Sequence, residues 1–135
     1  MSMKSMKFLG VCLAFASVST VLMSAMPDDG IMTKENGMYV VNTTSLATDV
    51  EGYEGATPLK IYIKRNKIEK IEALRNNETP KYWAMIKKRL LDKWNGMTVK
   101  QAATVEVDGV TGATFSSKAV KENVRRGVNY YNNNK

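Results

Sequence analysis

Apolar and polar residues alternate through the middle of the chain in the way that a half-buried β-strand requires. In residues 59–64 every second position is apolar, and lysines occupy two of the others. This pattern predicts a strand with one face in the core. Residues 67–74 return as a second strand with Ile68 and Ile71 on the buried side, after a tight turn at residues 65–66. The two segments together predict a β-hairpin.

Two later segments have the spacing of apolar residues that is typical of an amphipathic helix. The first is residues 82–94. Thr79-Pro80 precedes it and is a suitable helix start, because proline is tolerated in the first turn of a helix. The second is about residues 116–131, for which we expect Ser116 or Ser117 as the N-cap. The apolar side of this second helix is formed by Val120, Val124, Val128 and Tyr131.

Two further short runs, residues 38–41 and residues 105–107, favour β-structure. The order is then strands, helix, strand, helix, which predicts an α+β fold: an antiparallel β-sheet with two helices packed on one face. A length of 135 residues leaves room for a single small domain. We assign this domain to residues 36–135, after a linker at residues 27–35 that contains a Pro-Asp-Asp-Gly break.

The first 26 residues have the pattern of an export signal. Lys4 and Lys7 precede an uncharged stretch, residues 8–26, that is rich in apolar side chains. We expect a signal peptide over residues 1–26, with an uncleaved N-terminal anchor as the alternative, because the stretch is just long enough to cross a bilayer. In either case the domain is exported, to the periplasm or to the outer face of the cytoplasmic membrane.

The composition excludes several kinds of chemistry. The chain has no histidine, so Ser-His and Cys-His nucleophile pairs cannot form, and the commonest neutral metal ligand is missing. The single cysteine, Cys12, lies in the signal segment, which leaves the domain without a disulfide or a thiolate. Redox chemistry therefore requires a bound cofactor. The net charge of +7 is scattered rather than clustered, so we do not expect nucleic-acid binding.

Residues 108–117, with the sequence DGVTGATFSS, carry the candidate chemistry. Gly112 and Ala113 have almost no side chain and allow a ligand to approach the backbone, and the first amides of the following helix attract phosphate. The hydroxyl-bearing residues of the segment are Thr111, Thr114, Ser116 and Ser117. From these residues alone, the segment is either an anion site or a simple strand-to-helix turn with a serine cap.

The spacing Asp108-x-x-Thr111-Gly112-Ala113-Thr114 resembles the sequence recognised by FAD:protein FMN transferases, which cleave FAD and attach the FMN phosphate to the final Thr. The glycine-rich turn at residues 52–59 and the Asn-Glu-Thr-Pro element at residues 77–80 are similar to the same FMN-binding domain family. That family occurs in peripheral flavin subunits of the sodium-pumping NADH:quinone reductase and of the Rnf complex. The resemblance covers about residues 36–131, although the family often has glycines where Lys81-Tyr82-Trp83 stands here.

The resemblance implies that Thr114 carries FMN through a phosphoester bond made by a separate FAD:protein FMN transferase. It implies an exported electron-transfer protein rather than a stand-alone enzyme, with a membrane-bound or extracytoplasmic redox partner protein. Catalytic residues and metal ligands are not expected. The alternative is a non-catalytic extracytoplasmic binding or scaffold module that kept the fold and lost the flavin. The other residues expected at the cofactor are Asp108, Thr111, Gly112, Ala113, Ser116, Ser117, Glu78, Thr79 and Tyr53.

Within that set, side-chain chemistry suggests individual roles. Ser116, Ser117 and the helix amides hold the phosphate. Glu78 and Thr79 either hydrogen-bond the ribityl chain or ring edge, or simply begin a helix. Asp108 presents the loop to the transferase, or holds the loop by accepting backbone N–H bonds, or simply caps the turn. The aromatic residues that stack on the isoalloxazine, or else belong to the core, are Tyr53, Trp83 and Phe115.

Overall fold

A computed structural model describes residues 30–135 of this chain. The predicted signal peptide or anchor, residues 1–26, lies outside the described residues. Within residues 30–135, no helix combines the length and the apolar character needed to cross a membrane. The described residues begin directly before the first strand of a single sheet.

Four antiparallel strands form this sheet in chain order, and the predicted hairpin is confirmed as its third and fourth strands. The first strand was not predicted, because its sequence MTKE has no clear alternation. It lies within residues 27–35, which were assigned to the linker, and it joins the sheet through a turn at Asn36-Gly37, where both residues have positive φ. The strands are β1 Met32–Glu35, β2 Met38–Asn42, β3 Leu59–Lys64 and β4 Lys67–Ala73.

The helical segments pack on one face of the sheet, so the predicted α+β fold is confirmed, with three α-helices instead of two. They are α1 Pro80–Arg89, a 3₁₀ helix Leu91–Trp94, α2 Val99–Thr104 and α3 Thr114–Asn134. The core lies between this face and the helices. Ile61 and Ile63 of β3 share one apolar cluster with Val124 and Val128 of α3, and Ile86 brings α1 into the same cluster.

The predicted helix over residues 82–94 is interrupted at Leu90, whose φ of −114° ends α1. The 3₁₀ helix that follows aligns residues three positions apart, and this geometry buries Leu91 and Trp94 together. The unpredicted helix α2 is short. It begins with a capping box in which the Thr98 hydroxyl accepts a hydrogen bond from the Gln101 amide at 3.1 Å.

The predicted strand at residues 105–107 is wrong, because this segment is irregular. The start of the outer edge of β4 is paired with another segment, since the Ile68 amide donates to the Met97 carbonyl at 2.9 Å. The carbonyls of Val107 and Asp108 accept hydrogen bonds from lysine ammonium groups, and not from the amides of a neighbouring strand. The Nζ of Lys121 lies 2.9 Å from the Val107 oxygen, and that of Lys93 lies 3.0 Å from the Asp108 oxygen.

A buried polar contact fixes α3 against the sheet. Asn123 in the middle of the helix accepts a hydrogen bond from the Thr43 hydroxyl at 2.5 Å, and Thr43 Oγ1 accepts one from the Leu59 amide at 2.9 Å. One turn later, a Cβ on Gly127 would lie 2.6 Å from Ile61 Cδ1. The helix therefore approaches the sheet so closely that a side chain at position 127 would require Ile61 to shift, and Asn123 sets the position of the helix along the sheet.

Arg126 provides a second attachment, between α3 and the segment that joins β2 to β3. Its guanidinium donates to the Asp49 carboxylate at 2.5 Å, to the Leu46 carbonyl at 3.0 Å and to Glu122 Oε2 at 2.8 Å. Arg125 also bonds Glu122. Hydrogen bonding to Arg126 holds the pKa of Asp49 below its ordinary value. Hydrogen bonds from Arg125 and, to a smaller extent, from Arg126 lower the pKa of Glu122 to about 2.

Replacing Asn123 by alanine should lower the free energy of unfolding by about 1–3 kcal/mol, because the buried Thr43 hydroxyl loses its acceptor. Asn129→Ala in the same helix is the matched control, since Asn129 has no side-chain hydrogen bond within residues 30–135. Denaturant unfolding measures both changes. Equal losses in the two variants would contradict the role given to Asn123.

Acid should weaken the Glu122 contacts in a defined range of pH. A carboxyl group whose pKa is lowered in the folded state adds stability above its unfolded pKa and loses it as the pH falls through the folded pKa. For Glu122 this range runs from about 4.5 down to about 2. Wild type should therefore lose stability over this range relative to Glu122→Gln, by less than about 1 kcal/mol because the pair is partly exposed. Thermal melts of both proteins at stepped pH measure the difference.

Candidate functional site

Helix α3 begins at Thr114, two residues before the predicted start. Its N-cap is Ala113, which has no side-chain acceptor, and the first turn contains no acidic residue. The expected caps, Ser116 and Ser117, lie inside the first turn, and both are buried. The prediction of a serine N-cap is therefore wrong, and the helix begins without the side-chain cap that most helix N-termini carry.

The backbone at this helix start presents donors that have no acceptor among residues 30–135. The first bond of the helix runs from the Ser117 amide to the Ala113 carbonyl at 2.9 Å, so the amides of Thr114, Phe115 and Ser116 have no acceptor within the helix. These amides also lie at the positive end of the helix dipole, which favours a negatively charged ligand. Gly112 precedes them with a φ of +88°, a conformation that favours glycine.

Ser117 holds the loop that leads to this helix start. Its Oγ accepts a hydrogen bond from the Val110 amide at 2.9 Å. A Cβ on Gly109 would lie 3.0 Å from the Ser117 Cβ, so the loop passes close to the serine. In the structure the Ser117 side chain fixes the loop, and its expected contact with a phosphate stays a prediction.

Glu78 connects three separate segments through a carboxylate that is only 7% exposed. Its Oε1 accepts hydrogen bonds from the Tyr53 amide at 3.0 Å and from the Ser116 hydroxyl at 2.5 Å. Its Oε2 accepts one from the Glu54 amide at 2.6 Å. A Cβ on Gly52 would lie 2.0 Å from Oε1, so only glycine permits this approach. The carboxylate thus fixes the 52–54 turn against the start of α3.

These segments enclose a cavity of about 350 Å³ beside the helix start. Two of its aromatic side chains are unusually exposed, Tyr53 at 68% and Phe115 at 63%, and their ring centroids lie 6.4 Å apart. Tyr82 is exposed at 41%. Large aromatic side chains left uncovered around one concavity are typical of a ligand site. The residues that line the cavity are Tyr53, Glu78, Thr79, Tyr82, Gly112, Ala113, Thr114, Phe115 and Ser116.

The cavity brings together most of the residues expected at the site, although they are far apart in sequence. Three expected residues do not line this cavity: Asp108 and Thr111 are exposed in the adjoining loop, and Ser117 fixes that loop. Within residues 30–135 the Asp108 carboxylate accepts no hydrogen bond, and its backbone carbonyl receives the bond from Lys93. Trp83, one of the candidates for stacking, is buried in the core.

Two residues of the site were not identified from the sequence. Tyr82 was assigned to the apolar stripe of a helix, but it faces the cavity. Gly52 was noted only as part of a glycine-rich turn. Its contact with Glu78 joins residues that are 26 positions apart in the sequence, so a local pattern does not show it. The sequence Lys81-Tyr82-Trp83, which stands where the family often has glycines, was the signal that could have identified Tyr82.

Comparison with protein families matches residues 52–129 to the FMN-binding domain. This segment contains the whole cavity, from the Gly52 turn to most of α3, and more than half of the chain. The protein belongs to the FMN-binding domain family and is a flavin-binding module. Comparison with curated proteins and with solved structures gives no match.

Removal of the Glu78 carboxylate should loosen the site. Glu78→Ala leaves the Tyr53 and Glu54 amides and the Ser116 hydroxyl without their acceptor, which should cost about 1–3 kcal/mol of unfolding free energy. Glu54→Ala is the matched control, because its exposed side chain is removed while its amide stays in place. Amide hydrogen exchange at Tyr53 should become faster only in Glu78→Ala. Unchanged exchange there would contradict the linking role of Glu78.

Proposed function

We propose that this protein is an exported electron carrier that holds FMN covalently, through a phosphoester to the Thr114 hydroxyl. One observation carries the proposal. Thr114 is exposed, is the first residue of a helix without a side-chain cap, and lies on the wall of the aromatic cavity. A phosphate bonded to its hydroxyl would lie beside free amides, with the cavity next to it.

The attachment is the work of a separate FAD:protein FMN transferase. Thr114 Oγ forms a bond to the phosphorus of the FMN half of FAD, the pyrophosphate bond breaks, AMP leaves and the hydroxyl proton is lost. Within residues 30–135 the Thr114 side chain has no hydrogen-bond partner, so none of these described residues is in place to act as a base for the step. The transferase provides the base and the metal ion that neutralises charge.

The residues around Thr114 fit FMN. The free amides of Phe115 and Ser116 suit the phosphate. Tyr53 and Phe115 offer exposed ring faces for the isoalloxazine. The Thr79 hydroxyl lines the cavity without a partner among residues 30–135 and suits the polar ribityl chain.

Covalent attachment is compatible with the size of the cavity. A volume of about 350 Å³ is near the lower end of small-ligand pockets, which range from about 300 to 1,000 Å³. Such a site leaves part of a flavin uncovered, and a covalent bond removes the need for the pocket to retain it. An uncovered ring edge is also what a redox partner must reach.

FMN, when bound, supplies one- and two-electron redox chemistry that no side chain of the domain offers. The chain's own part is to fix the attachment point, to cover one side of the ring and to exclude water there. Because an exported protein cannot easily recover lost FMN, a permanent bond suits a site outside the cytoplasm. The electrons pass between a membrane-bound donor and an extracytoplasmic acceptor.

Co-expression of the full chain with an FAD:protein FMN transferase tests the proposal. Wild type should give a fluorescent band on a denaturing gel and a mass increase equal to FMN less one water. Thr114→Ala should abolish both, because the acceptor oxygen is gone, and Thr114→Ser should retain part of the signal.

Thr104→Ala, at an exposed threonine at the end of α2, is the control and should label like wild type. A wild-type chain of unmodified mass and without fluorescence would defeat the proposal and favour the flavin-free scaffold module.

A further inference from the structure

A second concavity lies on the other side of Thr114. It has a volume of about 260 Å³, and Thr114 lines both this cleft and the aromatic cavity. The loop residues Gly109, Val110 and Thr111 form one wall of the cleft, and α3 forms the other. A group attached to the Thr114 hydroxyl therefore has two spaces next to it, one aromatic and one polar.

The cleft is positively charged. Lys118 and Lys121 line it, and no acidic residue of the described part of the chain does. Lys121 is already engaged, because its Nζ donates to the Val107 carbonyl at 2.9 Å and lies 3.8 Å from Glu106. Lys118 has no hydrogen bond or ion pair within residues 30–135. It follows Thr114 by four positions, so both side chains lie on the same face of α3.

We propose that this cleft is the phosphate subsite of the site at Thr114 and that Lys118 is its cation. The inference rests on the proposed function. It adds that the phosphate and the ring of the attached group lie in different spaces. The phosphodiester, which has one negative charge at neutral pH, lies beside the amides of the helix start and toward Lys118 and the Thr111 hydroxyl, while the ring lies toward Tyr53 and Phe115. Lys118 is a positioning residue: it orients the phosphate and takes no part in electron transfer.

The test uses the full chain after loading by the transferase, in three variants. Lys118→Gln removes the charge, Lys118→Arg keeps it, and Lys100→Gln removes a charge from an exposed lysine of α2 outside the cleft. Two quantities are measured for each protein: the phosphorus NMR shift of the phosphodiester, and the gain in Tm between unloaded and loaded forms. Comparing each variant with its own unloaded form cancels any general effect on stability.

Lys118→Gln should change the phosphorus shift and reduce the gain in Tm by about 2–4 °C at low salt, as expected for one partly exposed charge pair. Lys118→Arg and Lys100→Gln should keep the wild-type gain. At 1 M salt the difference should nearly vanish, because the Debye length falls to about 3 Å.

An unchanged phosphorus shift and gain in Tm in loaded Lys118→Gln would overturn this inference alone. Equal losses in the Gln and Arg variants would also overturn it, because they would point to packing rather than charge. A wild-type chain that accepts no flavin would overturn the proposed function, and the inference with it.

Discussion

The site depends on one buried carboxylate. Glu78 comes from the segment between β4 and α1, and it bonds the backbone of the 52–54 turn and the first turn of α3. All its partners are neutral donors, so its charge is balanced by directed hydrogen bonds rather than by a cation. Gly52 and Glu78 fit each other so closely that a side chain on the first would displace the second. Without this contact, the wall that carries Tyr53 would have no fixed position relative to Thr114.

The rest of the fold holds in place the part of the site that contains Thr114. Helix α3 carries Thr114 at its first position, and contacts near its middle fix it to the sheet. Asn123 bonds Thr43, and Gly127 allows close approach to Ile61. Thr114 is exposed, but the helix that bears it is anchored through buried groups. An exposed hydroxyl and a rigid support are therefore combined in one element.

The sequence predicted the features that depend on local patterns. Alternation gave the β3–β4 hairpin, and periodicity gave α1 and α3, because each of these elements has one apolar and one polar face. The segment at 105–107 failed because β-favouring residues do not by themselves create a strand pairing: the segment is irregular, and lysine side chains bond the carbonyls of Val107 and Asp108. The motif ending at Thr114 identified the loop. It could not show that the Ser117 side chain fixes the loop, since that depends on a contact with Val110 in the folded chain.

Helix α3 is 21 residues long, or roughly 30 Å at about 1.5 Å per residue. Its first residue lies at the site, and its middle is locked to the sheet. A chromophore esterified at that residue would move with the whole domain as one body, and its protein surroundings would shift little when its charge changed. The reorganisation energy of electron exchange would then come mainly from solvent at the uncovered edge of the ring.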